Sequence, residues 1–352
     1  MNSQYDYIIV GQGICGTFLS YYLMQEDQSV LVIDKQKPNR ASRIASGVIN
    51  PVTGRRIVKT WKIDELMPFA WNAYHKIAAE IKLQNIINQC SVLDIHTTEQ
   101  MRNAFEKRLN DVQHDYIQPC NNEIFWQQYF HFNFGIGEIF PAYCINLIDL
   151  LIGWRNYLHE LKRLQTEAFS ENKLLLKDDF VVYKNITAKK IIFCDGISSV
   201  YNNYFKHLPF ALNKGEALIV SIPDLPRDFI YKQGFSIVPW KENDLFWIGS
   251  TYEWNYDNDL PTNNFKNKVE TYLQNYLKVA YNIQEHFAGL RPANTERRPF
   301  VGLHTAYPQI GILNGMGTKG CTLAPFYANQ LTRHLLHDAK IDAEADVQRF
   351  TK

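Results

Sequence analysis

Six residues near the N-terminus, Gly11-Gln12-Gly13-Ile14-Cys15-Gly16, leave little choice for how the chain begins to fold. They follow an apolar run, Tyr7-Ile8-Ile9-Val10, of the kind a fully buried parallel strand shows. Ile14 to Gln25 has the pattern of a helix, and Val30-Leu31-Val32-Ile33 is a second buried strand that ends at Asp34. Strand, tight turn, helix and strand make one βαβ unit. Each glycine has a separate task in it. Gly11 permits the sharp turn, Gly13 leaves room for a pyrophosphate to approach the backbone, and Gly16 lets the helix pack on the strand. The helix N-terminus then presents free N–H groups and partial positive charge to a phosphate. Asp34 stands 23 residues after Gly11, where a carboxylate accepts hydrogen bonds from ribose hydroxyls. The unit predicts dinucleotide binding without separating a flavin from a nicotinamide nucleotide.

The rest of the chain alternates between two kinds of element. Arg40 to Arg56 is Ser-, Gly- and Arg-rich and too irregular for a long helix. A helix is expected over Asp64–Ile81, with Asp64 as its N-cap, then a strand over Ser91–His96 and an exposed helix over Thr97–Leu109. Gly137 to Pro141 is read as the lead into a helix over Ile145–Leu164. Short strands follow at Lys173–Lys177, Phe180–Tyr183 and Lys190–Cys194, the last running into Asp195-Gly196. Strand signals at Glu216–Ile222, Gly234–Pro239 and Leu245–Gly249 predict a mostly antiparallel sheet. A helix over Asn263–Val279, a strand over Gly311–Asn314 and a helix over Thr322–His337 complete the pattern. The fold class expected is α/β, an α+β composite: a Rossmann-like nucleotide domain with an inserted, mostly antiparallel β-sheet domain. The nucleotide domain is assigned residues 1–85, 145–206 and 288–352, and the substrate domain residues 86–144 and 207–287.

Charge and composition narrow the partners. The 352 residues carry a formal net charge of +1, with 46% hydrophobic and 21% charged residues. That balance offers no basic tract for nucleic acid and no attraction to an anionic membrane. No apolar run reaches the roughly 20 residues of a membrane span. Met1 to Gln4 has none of the features of a secretory signal. The six cysteines, at 15, 90, 120, 144, 194 and 321, form no C-x-x-C pair and have no histidine cluster beside them. They read as reduced thiols in a cytoplasmic protein with no metal site.

Four segments spread along the whole chain carry a family resemblance. They are Asp6 to Gly16 with Val30 to Lys35; Ala41-Ser-Arg-Ile-Ala-Ser-Gly-Val-Ile-Asn-Pro51; Lys189 to Gly196; and Gly289-Leu-Arg-Pro292 with Gly311 to Pro325. Together they resemble the FAD-dependent D-amino-acid oxidase superfamily, which includes glycine and sarcosine oxidases. The resemblance implies FAD as cofactor and a small amine or amino acid as substrate, with hydride transfer from Cα–H to the flavin, an imine product and reoxidation by dioxygen. For the cofactor it implies contacts from Gly11, Gly13, Ile14, Gly16, Asp34 and Lys35, from the loop residues Ser42, Arg43, Ala45, Ser46 and Gly47, and from Asp195 and Gly196. At the other end it implies Gly315, Gly317, Thr318, Lys319, Gly320 and Thr322, where a second helix N-terminus meets the flavin and stabilises negative charge on it. Arg291 matches the family's carboxylate-binding arginine, whose fork holds a planar carboxylate at two points. Lys319 matches a carboxylate-contacting lysine, and Arg55 or Arg56 a further substrate-contacting arginine; Arg56 is taken as the candidate.

Two departures stand out. Gly315-Met316-Gly317 replaces the family's frequent Gly-His-Gly, which removes one route to covalent attachment, so FAD is expected to be non-covalent. Glycine oxidases have a tyrosine ahead of the Val-Pro step in the substrate sheet; Phe235-Ser236-Ile237-Val238-Pro239 offers Phe or Ser. Trp240, Trp247, Tyr252 and Trp254 are candidates to line the pocket. The glycine-rich C-terminal loop also resembles the flavin domain of tRNA wobble-uridine modification enzymes, which act on a glycine-like group. A non-catalytic flavin-binding subunit is a third possibility, and an NAD-dependent dehydrogenase a fourth that leaves the C-terminal glycine loop without a role. Oligomeric state is not legible in these residues.

Overall fold

A computed structural model describes residues 3–350 apart from positions 38, 55, 112–114 and 242. Among the described residues the chain builds two large sheets. The first has eight strands. Its centre is parallel: Ser3–Val10 lies between Val30–Ile33 and Ile186–Phe193, and the latter continues in parallel to Ile310–Asn314. Alternation along Tyr7–Val10 sends Tyr7 and Ile9 into one core and Ile8 and Val10 into another, so both faces are covered. The helices Ile14–Gln25, Ile63–Glu80, Leu147–Glu160 and Gly320–His337 cover the first of these faces.

The second sheet has nine strands and is antiparallel except where Phe229–Lys232 runs beside Ser91–Asp94. One face packs Leu218, Ile237, Ile248 and Leu93 under the helix Asn263–Tyr276. The other face is turned to the cavity described below.

Several elements differ from expectation, each for a local reason. The long helix starts at Ile63, and Lys62, in a left-handed conformation, occupies the N-cap position instead of Asp64. The Asp64 carboxylate instead accepts hydrogen bonds from Lys59 Nζ and Tyr116 Oη. Ile136–Ile145 is a ten-residue strand and not the approach to a helix. Pro141 sits where the pairing with Ile87–Ile95 shifts register, so its missing N–H breaks no regular ladder. The following helix begins at Leu147, with the Asn146 side chain accepting from the Asp149 N–H. Asn282–Arg291, polar in its first half, is a ten-residue edge strand that the sequence pattern did not mark. No helix among the described residues is long and apolar enough to cross a membrane, and none of their acidic, His and Cys groups clusters as a metal site would.

Candidate cofactor and substrate site

A cavity of 590 Å³ opens where the two sheets face each other. One wall is the glycine turn. Gly11 has φ +98°, and a Cβ there would come within 2.6 Å of the Cys194 carbonyl. A Cβ on Gly16 would lie 1.9 Å from the Gly11 carbonyl, which is the tight helix–strand packing expected of it. Gly13 is different. Its backbone, at φ −83° and ψ −167°, is one any residue adopts, and a Cβ there would meet only the Ser42 side chain. Its bareness therefore keeps space open at the helix terminus and serves no backbone need.

At that terminus Gly13, in the cap position, supplies no capping side chain, and the first turn has no acidic residue. The Ser42 hydroxyl accepts from the Ile14 N–H at 3.1 Å. Beside this terminus the helix Gly320–His337 begins next to Ile14, with Lys319 at its cap position contributing no capping side chain and no acid in the first turn. Two helix N-termini thus open on one space with no acidic residue in either first turn. The cations near them have no direct ion-pair partner, although Arg43 feels the charge of Asp34. Among the described residues no ion pair includes Arg43, Arg291 or Lys319, and Arg43 Nη2 is buried without a partner. Burial lowers the proton affinity of all three, helped at Lys319 by Arg298 and Arg297. An anionic ligand relieves each of these costs.

Asp34 is held in place. Its Oδ2 accepts from the Gln12 N–H at 3.1 Å, and its Oδ1 from Arg155 at 3.0 Å. Arg155 also reaches the Asp34 carbonyl and the Thr166 hydroxyl. It is buried on a helix 121 positions away, and nothing in the sequence marks it. Behind the turn, burial raises the Asp195 carboxyl to about 6 against the hydrogen bond from Ser199.

Most of the expected residues meet at this cavity. Gly11, Gly13, Ile14, Asp34 and Lys35 line it, as do Ser42, Arg43, Ala45 and Ser46. Asp195 and Gly196 line it from the end of a parallel strand, and Gly317, Thr318, Lys319, Gly320 and Thr322 from the C-terminal loop. Gly16, Gly47 and Gly315 stand behind the surface as packing glycines; a Cβ on Gly47 would lie 2.0 Å from the Ile145 carbonyl, and one on Gly315 would strike Phe300. Arg56 does not reach the cavity. It is exposed at the turn joining the short strands Val52–Thr53 and Val58–Lys59, and Arg55 lies outside the described residues. Of the four aromatic candidates, Trp247 and Tyr252 line the cavity, Trp240 is buried in the core and Trp254 is 57% exposed.

Arg291 lies on the second sheet, over Gly215, where a Cβ would come within 1.9 Å of Nη2. Its partners are all neutral: Asn213 Oδ1 at 2.6 Å, the Thr251 carbonyl at 3.0 Å and Ser250 Oγ at 2.8 Å, with the Tyr252 ring 4.8 Å from the guanidinium. The fork is oriented by oxygens that leave its charge unneutralised.

A family profile described as DAO, FAD dependent oxidoreductase, matches residues 6–334. Glycine oxidase of Bacillus subtilis strain 168 is 23% identical over 386 aligned positions covering 99% of this chain and all of that protein. Among solved structures, glycine oxidase of Bacillus cereus ATCC 14579 superposes with a TM-score of 0.77 at 16% identity, covering 96% of each chain. Iminodiacetate oxidase of Chelativorans sp. BNC1 superposes with a TM-score of 0.74 at 16% identity, again over 96% of each.

Proposed function

This chain belongs to the DAO family of FAD-dependent oxidoreductases, and we propose that within it the protein oxidises the C–N bond of an amino acid or secondary amine. One observation carries the substrate reading: the half-buried Arg291 fork opens on the cavity with neutral partners only, as a carboxylate receptor should. The relatives named above act on glycine and iminodiacetate, which share an amine beside a carboxylate.

The residues present fit FAD. Gly13 keeps space open at the first helix terminus, Asp34 lines the cavity where it would meet a ribose, and Arg43 has a nitrogen without a partner. When bound, FAD supplies the two-electron acceptor. The chain positions the reaction. Arg291 binds the carboxylate and fixes the Cα–H direction, and Lys319 with the last helix terminus favours negative charge gathering beside it. The substrate loses a hydride equivalent from carbon and a proton from nitrogen; water then hydrolyses the imine to an oxo acid and an amine or ammonia. Dioxygen, reduced to hydrogen peroxide, is the proposed terminal acceptor. Non-covalent retention of FAD is supported by the chemistry of the lining nucleophiles: burial pushes the Cys15 and Cys321 thiols up to about 12 and holds Cys194 well above its usual range. On this reading residues 1–85, 145–206 and 288–352 serve the cofactor and 86–144 and 207–287 the substrate, with Val48–Ile49 and Asn282–Arg291 joining the second sheet. A cytoplasmic setting accords with six free cysteines.

The test is direct. Purified protein should be yellow and release FAD on acid or heat treatment, and some member of a panel of amines and amino acids should bleach it without air. Release of peroxide on readmitting air identifies the acceptor. A colourless protein that cannot be reconstituted with FAD refutes the reading.

A further inference from the structure

The cavity face of the second sheet carries a second cation that no sequence motif announced. Directly opposed residues in a sheet share a face. Lys232 opposes Ser236, Ser236 opposes Gly249, and Gly249 opposes Ala217. This row lines the cavity, and so does Gly215, two residues from Ala217 and beneath the Arg291 fork. Phe235 points the other way, into the core under the helix Asn263–Tyr276. The small residue that stands ahead of the Val-Pro step on the cavity side is therefore Ser236, and its directly opposed neighbour is Lys232.

Lys232 is held there. Its Nζ lies 3.1 Å from Oδ2 of Asp94, its cross-strand partner on the parallel strand beside it. Asp94 is 1% exposed, and its Oδ1 has no hydrogen-bond partner. Burying such a carboxylate is costly unless a cation pairs with it, as Lys232 does. An ammonium has three N–H donors. One goes to Asp94, and among the described residues no other acceptor meets Nζ. The lysine side chain remains 28% exposed and lines the cavity. Asp94 thus fixes an otherwise flexible side chain and leaves donors aimed at whatever fills the space above Ser236. Arg291 reaches Ser250, next to Gly249 on the strand two places away, a separation on the order of 10 Å at the backbone.

We propose that Lys232, anchored by Asp94, binds a second anionic group on the substrate, so that the preferred substrates are amines carrying two carboxylates. The proposal rests on the amine-oxidation reading above. Arg291 takes the carboxylate beside the reacting carbon, and Lys232 takes the distal one.

The experiment uses FAD-loaded protein and matched pairs that differ by one carboxylate: iminodiacetate against sarcosine, and aspartate against alanine in both enantiomers. Anaerobic flavin reduction should favour the dicarboxylate of a pair by at least about tenfold in the apparent second-order rate constant. Calorimetric titration with succinate and propionate, neither of which has an amine to oxidise, reads binding alone and should show a preference of about tenfold or more for succinate. Lys232→Met combined with Asp94→Asn, which leaves no unpaired buried carboxylate, should bring both preferences below about twofold, while Lys232→Arg should keep them. If sarcosine and alanine match their partners and propionate matches succinate on the unaltered protein, the proposal is overturned and the amine-oxidation reading stands. If no amine reduces the flavin, that reading fails and the titration alone decides: a succinate preference lost in the double variant supports the role of Lys232, and equal binding of the two acids overturns it.

Discussion

Arg291 is a cation whose position is set by three oxygens and an aromatic ring and whose charge is left over for something else. Replacing it by lysine keeps the charge and loses the two-pronged geometry. Flavin reduction by a carboxylate-bearing amine should then slow by at least about tenfold, or roughly 1.4 kcal/mol in the barrier. The matching amine without a carboxylate should be affected far less, and FAD occupancy should persist. Equal losses for both substrates would make Arg291 a structural tie between Asn213 and the loop at Ser250 and Thr251. Asp195 gives a pH-dependent counterpart. Its carboxyl is raised by burial from 3.8 to about 6, so the folded protein favours the protonated form. The stability this contributes is complete below the unfolded value and is lost as pH rises through about 6. Asp195→Asn mimics the protonated group. Cofactor-free wild type and variant should melt together near pH 4, with the wild type lower by about 3 °C or more at pH 7. Parallel melting curves from pH 4 to 8 would show that Asp195 does not titrate in this window.

At the scale of elements, the glycine turn was legible because its constraints are steric and local. Gly16 is required by the Gly11 carbonyl inside the same βαβ unit, and Gly11 by its own φ of +98°, although a Cβ there would also strike the Cys194 carbonyl of a strand far along the chain. Gly13 has no such requirement, so on the proposed reading Gly13→Leu should fold, since its backbone is unstrained, yet retain no FAD after purification. Full FAD occupancy in a folded Gly13→Leu variant would place the phosphate site elsewhere. The strand Ile136–Ile145 was not legible, because Pro141 is a breaker by rule and is tolerated here only by a register shift in the strand beside it. Arg155, Lys232 and Asp94 were hidden for the same kind of reason. The ion pair between Arg155 and Asp34 spans 121 positions, and Lys232 finds Asp94 across 138. An isolated charged residue in a helix or strand pattern looks like a solvated one until pairing brings its partner alongside. Arg56 failed in the opposite sense: its basic motif was conspicuous, but the short hairpin that carries it holds it in solvent.

For the whole molecule, the cavity is where the two sheets meet. Glycine-turn and C-terminal-loop residues from the first sheet line it together with Gly215, Ser236 and Trp247 from the second. The indole N–H of Trp247 donates to the Ile44 carbonyl at 2.9 Å, one of the bonds joining the sheet to the cofactor loop. A ligand that fills such a seam binds the folded chain and not the unfolded one, and stabilises it by mass action. FAD at about one hundred times its dissociation constant should therefore add roughly 2.7 kcal/mol to the stability of the cofactor-free protein. For a chain of this size that is a rise of a few degrees in Tm, measurable by calorimetry. The fragments separate the contributions. ADP, which keeps the pyrophosphate and ribose, should give part of the rise by engaging Asp34 and the first helix terminus, and Gly13→Leu should abolish that part. Riboflavin engages neither, so it should give less than FAD at equal concentration and should be indifferent to Gly13→Leu. If ADP leaves Tm unchanged at millimolar concentration while FAD raises it, the glycine turn contributes little to retention, and the loop at Gly317 to Thr322 holds the cofactor without it.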